Sequence, residues 1–269
     1  MRSKQALALI CLICAFCGPA WAGPMEDSAA AYARGDYQSA RQFLAPLANQ
    51  GNALAQFNLA VLFDKGEGVQ RDDVEAAKWY GRAAVQGDAN AENNLAGKYL
   101  DGKGVAQDAA QAAMWFRRAA DQGHTEAQAN LGTLYATGKG VKQDYAEAAR
   151  LFRLAADKGN PAAQNNLGDI YRNGQGVAKD PAQAMKFYRL AADQGSAAAQ
   201  QNVGAMYANG EGVPVDRMQA HKWFSLAAAR ASETGKRDAA TKSRDALLAK
   251  MTMSEVAEAE KQAREWRPR

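Results

Sequence analysis

The chain has 269 residues, 47% of them hydrophobic, and carries 33 basic against 29 acidic side chains for a net charge of +4. Alanine supplies 61 residues, nearly half of the hydrophobic set; it is the best helix former and adds little buried area per residue, so the composition describes closely spaced helices and argues against a β-sandwich. Near-neutral charge leaves no electrostatic footprint for nucleic acid.

In chain order, residues 1–22 read as a secretory signal peptide. Arg2 and Lys4 form a basic start, an apolar run spans Ala6 to Cys17, and Ala20-Trp21-Ala22 is a small-x-small cleavage site. The run is too short for a membrane span of about 20 residues. All three cysteines fall inside it, so the processed chain would hold no thiol for disulfides, thiol catalysis or cysteine-ligated zinc. The expected location is exported and periplasmic, with secretion as the alternative, and no membrane span after cleavage. Residues 23–50 read as a helix pair that caps the N-terminal end, with Gly35-Asp36-Tyr37 followed by Ala40, Phe43, Leu44 and Ala48.

Residues 51–230 form five periods of 36 residues without insertion or deletion. Gly-x-Gly-Val blocks begin at Gly66, Gly102, Gly138, Gly174 and Gly210. Asp72, Asp108, Asp144, Asp180 and Asp216 keep the same register, as do Ala-Ala pairs beginning at Ala83, Ala119, Ala155, Ala191 and Ala227. Such a period marks a repeat architecture. Each copy reads as two helices. In the third, helix A carries Ala127, Leu131 and Tyr135 on one face, and helix B carries Ala148, Leu151, Phe152 and Ala155 at spacings of three and four. The Asp before each helix B has Glu or Gln three residues later, the pattern of a capping box. Glycine pairs end helix A, and aromatics such as Trp79, Tyr80, Trp115, Phe116, Phe187, Tyr188, Trp223 and Phe224 are expected in the core. Neither helix can bury its apolar stripe alone, so pairs must stack on pairs.

Residues 231–269 read as C-terminal capping helices, one over about 236–250 and one capped by Thr252-x-x-Glu255. Ala231 stands where the other copies have glycine after helix B, so the last helix B is expected to run on.

Ala127-Gln128-Ala129-Asn130-Leu131-Gly132-x-x-Tyr135-x-x-Gly138-x-Gly140-Val141-x-x-Asp144, with the alanine pairs that follow, resembles the Sel1-like repeat, a relative of the tetratricopeptide repeat. The resemblance implies an all-α fold, a right-handed superhelical α/α solenoid whose helix A lines the concave face. It also implies a non-enzymatic scaffold or adaptor of the bacterial envelope that holds a protein or peptide. The alternatives are a cell-wall or β-lactam binding or hydrolysing protein and a periplasmic regulator of a signalling receptor. A cysteine-rich subset of the family carries the β-lactam link, and the processed chain lacks those cysteines.

Chemistry-bearing constellations are sparse. His124 sits at the expected N-cap of a helix A and His221 on a core-side position, with no metal-binding spacing between them. No cofactor, metal site or catalytic residue is expected. The candidate partner-binding residues are the polar column Asn58, Asn94, Asn130, Asn166 and Asn202, and the variable outward positions Phe57, Val61, Asn93, Asn165, Asp169 and Arg172. Two readings of the asparagines stay open: a structural ladder bonding the backbone of the adjacent helix, or a row of amides that bonds a bound peptide. Partner identity and oligomeric state are not legible in these residues.

Overall fold

The computed structural model describes residues 23–268. The segment read as a signal peptide lies outside them. The described residues fold into fourteen helices, with no strand among them. They divide into two compact units, one ending at Ala83 and one beginning at Ala84.

The first unit contains α1 (Pro24–Ala33), α2 (Tyr37–Asn49), α3 (Ala53–Lys65) and the larger part of α4 (Asp73–Val85). Here α1 packs on α2 and α2 on α3. The second unit continues with α5 (Ala89–Asp101), α6 (Ala109–Asp121), α7 (Thr125–Thr137), α8 (Tyr145–Asp157), α9 (Pro161–Asn173) and α10 (Pro181–Asp193). It ends with α11 (Ala197–Asn209), α12 (Arg217–Arg230), α13 (Thr234–Leu248) and α14 (Met253–Glu265). Helices pair as α5 with α6, α7 with α8, α9 with α10 and α11 with α12, and each pair's second helix packs on the next pair's first.

The boundaries follow from capping. Asn52, Asp88, His124, Asn160 and Ser196 each accept a hydrogen bond from the backbone N–H three residues on, starting the A helices. Gly66, Gly102, Gly138, Gly174 and Gly210 end them in the left-handed region, with φ between 69 and 72°. The aspartates then act twice. The Asp144 N–H closes the long turn onto the Tyr135 carbonyl at 2.9 Å, while its carboxylate accepts from the N–H groups of Ala146 and Glu147 to cap α8. The same turn closes at Asp108 on Tyr99 and at Asp180 on Tyr171. The expected capping boxes form only in their first half here. Glu147 turns to Arg150 at 2.8 Å rather than back to the cap, because an arginine one turn along offers two charge-assisted donors. The full reciprocal box forms at Thr252 and Glu255 of α14.

The second glycine of each turn answers to packing. A Cβ on Gly140 would lie 2.1 Å from the Ala109 carbonyl oxygen, and one on Gly176 would lie 2.5 Å from the Ala146 nitrogen. The turns at Gly68, Gly140, Gly176 and Gly212 therefore press their backbone onto the start of the preceding helix B. Only glycine permits that approach at φ near +70°.

All eight aromatics expected in the core are buried, from Tyr188 at 0% exposed to Trp115 at 8%. Between pairs, arginines of the B helices stack on aromatics of the following copy. Arg153 donates to the Tyr171 hydroxyl and lies 4.8 Å from the Phe187 ring, and Arg189 lies 4.9 Å from Trp223. The last B helix gains one residue and then stops. Ala231 is buried and extended, and α13 and α14 both fold back onto α12. Trp266 packs edge-on against Trp223, which closes this end of the core.

Candidate partner-binding face

A buried amide column supplies the structural bonding between copies. Gln56, Gln128, Gln164 and Gln200 are all nearly inaccessible. Each side-chain N–H donates to a carbonyl in the last turn of the preceding helix: Ala48 at 3.0 Å, and Ala120, Ala156 and Ala192 at 3.2 Å. Each of those helix-end carbonyls also accepts from the N–H of the glycine three residues on, at 2.9 to 3.1 Å, so the glutamine supplies a second donor inside the core and ties the two helices together. The second copy has Glu92 instead, fully buried and unable to donate. Arg118 compensates: its Nε lies 2.9 Å from the carboxylate, and its guanidinium reaches the Ala84 carbonyl at 3.4 Å. Gln122 adds a 2.7 Å bond to Glu92. Burial still holds the Glu92 carboxyl above the usual range, against the lowering influence of Arg118.

The asparagine column does different work. Asn130 is exposed and the other four are half-buried. Their bonds run from side chain to side chain along neighbouring A helices. Asn130 donates to Asn93 at 3.3 Å, and Asn93 donates to Asn94 at 3.2 Å. Two copies on, Asn202 donates to Asn165 at 3.0 Å, while Asn165 shares its N–H groups between Asn166 at 3.5 Å and Asp169 at 3.3 Å. Position 129 is a buried alanine, so the relay is interrupted between Asn166 and the third copy. The expected ladder onto backbone exists, but glutamine makes it. The signal for this was present in the sequence, since glutamine recurs at this position in four of five copies, eight residues after an alanine.

The remaining candidates divide. In the first unit, Phe57 is half-buried with its ring 5.9 Å from Tyr80, beside half-buried Asn58 and Val61. In the second, Arg172 is held bidentately by Glu211 at 2.7 and 2.9 Å, so it ties α9 to the turn after α11. Asp169 accepts from the Tyr188 hydroxyl at 2.6 Å. Burial raises its carboxyl above the usual range, opposed by the Tyr188 bond and the charge of Arg172.

Asn165, Asp169, Gln201 and Asn202 come together as one wall of a cleft of about 370 Å3. Lys236 and Ala239 of α13 form the opposite rim, and alanines from α11 to α13 make up most of the rest. The α13 side of this cleft lies outside the 36-residue period, so no repeat column pointed to it. Among the described residues no three His, Cys, Asp or Glu side chains converge as metal ligands would. No helix among them is long and apolar enough to cross a membrane.

The Sel1 repeat profile matches five consecutive segments, 53–88, 89–124, 125–160, 161–196 and 197–232. The chain belongs to the Sel1 repeat family. A Sel1 repeat protein from Oxalobacter formigenes has 31% sequence identity and a TM-score of 0.75, over 88% of this chain and 97% of its own. The antigen c5321 of uropathogenic Escherichia coli, described as protective and as having an SLR fold, has 28% identity and a TM-score of 0.44, covering 90% and 68% of the two chains. The immunity protein Pa5087 of Pseudomonas aeruginosa has 21% identity and a TM-score of 0.46, covering 77% and 82%. No curated protein matches the sequence significantly. Sel1 repeat proteins are generally protein-interaction scaffolds, and their solenoids are typically non-catalytic.

Proposed function

We propose that this protein is an exported adaptor of the bacterial envelope that holds a protein or peptide partner on the face formed by its A helices. The observation that carries the reading is the division of labour between two amide columns. Buried glutamines make the bonds from one helix to the backbone of the preceding one, whereas the bonds of Asn130 and Asn202 run to other side chains. The column asparagines remain at least partly accessible, and Asn130 and Asn202 each donate to an outward asparagine of the preceding copy, Asn93 and Asn165, leaving spare donors and acceptors. A row of amides of this kind suits an extended partner backbone, which offers alternating N–H and C=O groups. Export is supported by the basic, apolar and small-x-small order of residues 1–22.

The test is a double variant, Asn130→Ala with Asn166→Ala, in cells whose envelope proteins are crosslinked before purification. Capture of the native partner should fall at least fivefold. Stability should fall by no more than about 1 kcal/mol, because half-exposed amide bonds contribute little net. Unchanged capture with a sharply lower melting point would assign the asparagines to structure alone.

A further inference from the structure

The cleft between α9, α11 and α13 holds a carboxylate, Asp169, without a direct ion pair among the described residues. Lys236 on its rim is paired with Glu233 at 2.7 Å, and Arg172 beside it is paired with Glu211. Asp169 has no cation within ion-pairing distance among the described residues; its oxygens accept only from Tyr188 and Asn165. Asp169 and Lys236 are the charged residues lining the cleft; Lys236 is drawn to Glu233, while the Asp169 carboxylate is oriented by two neutral donors with the charge of Arg172 acting on it from farther off. Position 169 is also singular in the repeat: the matching residues are Val61, Gly97, Thr133 and Ala205. Gln201 lines the same wall, with its nitrogen on Ser243 and its oxygen without a donor. The alanine surface between these groups is apolar and unobstructed, and about 370 Å3 lies at the small end of ligand pockets.

We propose that this cleft receives one basic side chain, lysine or arginine, from an extended segment of the partner, with Asp169 as its counter-charge. The side-chain methylenes lie on the alanines of α11 and α13, and the adjoining partner backbone meets Asn202 and Asn165. The proposal rests on the A-helix face being the partner surface, and it adds the partner's chemistry: a positive charge at the C-terminal end of that face. Taking a carboxylate partly out of water is unfavourable unless a cation joins it, which makes the site selective for charge rather than for shape.

The experiment uses the full chain, isotopically labelled, titrated with acetyl-Ala-Arg-Ala-amide and with the same peptide carrying glutamine or glutamate at the centre. The arginine peptide should shift the side-chain amides of Asn165 and Asn202 and the backbone amides of Ala239 and Ala240. Its affinity should exceed that of the glutamine peptide about tenfold, in line with a hydrogen bond to a charged group. Asp169→Asn should abolish that preference. Ala239→Leu, on an exposed position of α13, should block all three peptides without touching the Tyr188 contact, so the test holds even if Asp169→Asn disturbs the fold. Equal binding of the arginine and glutamine peptides, or no shift at these residues, overturns the proposal. If envelope crosslinking still captures a partner in that case, the adaptor reading stands and only the basic-side-chain pocket falls. If capture fails as well, both fall.

Discussion

At the scale of single residues, the second copy shows how a departure from the repeat is repaired. Glu92 cannot donate to the Ala84 carbonyl, and Arg118 takes over that bond while neutralising the carboxylate. Copies four and five carry the same positions as Gln164 with Leu190 and Gln200 with Leu226. Arg118→Leu alone should therefore strand a buried charge, at a cost of about 3 kcal/mol, the low end for such pairs because Arg118 is 45% exposed. The double change Glu92→Gln with Arg118→Leu should restore stability to within about 1 kcal/mol in a urea titration. His124 makes a second prediction. Its Nδ1 accepts from the Ala127 N–H at 3.2 Å, which requires the neutral ring. Burial lowers its pKa from the ordinary 6.5, Lys158 lowers it further, and Glu126 and Asp88 pull the other way. A lowered folded pKa means that the cap's contribution is complete above about pH 6.5 and is lost as pH falls through the folded value. Below that, Nδ1–H faces Glu126 Oε2 at 3.6 Å and the cap is gone. Melting temperatures from pH 7.5 to 5 should fall less in His124→Asn, which keeps a capping acceptor as Asn52 and Asn160 do, than in the parent chain. An equal fall would place the titration elsewhere. The cap role of His124 was legible in the sequence, because its column holds Asn, Asp and Ser. The role of Glu92 was not, since its meaning depends on a partner from the next helix.

At the scale of helices and turns, most of the architecture could be read in advance. Aspartate starts and glycine stops bracket thirteen-residue helices, and these local signals are independent of packing. What could not be read was the reason for two glycines in each turn. The first ends the helix in the left-handed region, whereas the second brings the turn's backbone against the preceding helix B. Gly138→Ala should cost about 1–2 kcal/mol for its positive φ, and Gly140→Ala at least about 3, because its Cβ would also overlap the Ala109 carbonyl. Denaturant midpoints of the two variants decide this, and equal losses would remove the packing explanation. The end of α12 is likewise set by packing rather than by local signals. Losing the glycine stop at Ala231 suggested a longer helix, yet the chain turns there so that α13 and α14 can cover α12. Tertiary burial of Ala231 outweighs the local permission to continue.

At the scale of the whole chain, repeat periodicity carried the fold class, and it did so because each copy's caps, turns and core positions agree with one another. It carried less about the site. Columns such as the buried glutamines identify what the copies do in stacking, while the proposed basic-side-chain cleft draws on Asp169, where the copies differ, and on α13 outside the period. Asn165 and Asp169 were legible as outward positions and Asn202 as part of the polar column, but their meeting with Lys236 and Ala239 required the structure. The central claim is that a partner occupies the A-helix face. The most direct measurement places a photo-crosslinking side chain at Thr133 on α7 or at Leu154 on α8, both exposed, and irradiates intact cells. The account predicts a crosslinked partner from Thr133, with little or none from Leu154. Crosslinking from Leu154 alone, or from neither position, would contradict it.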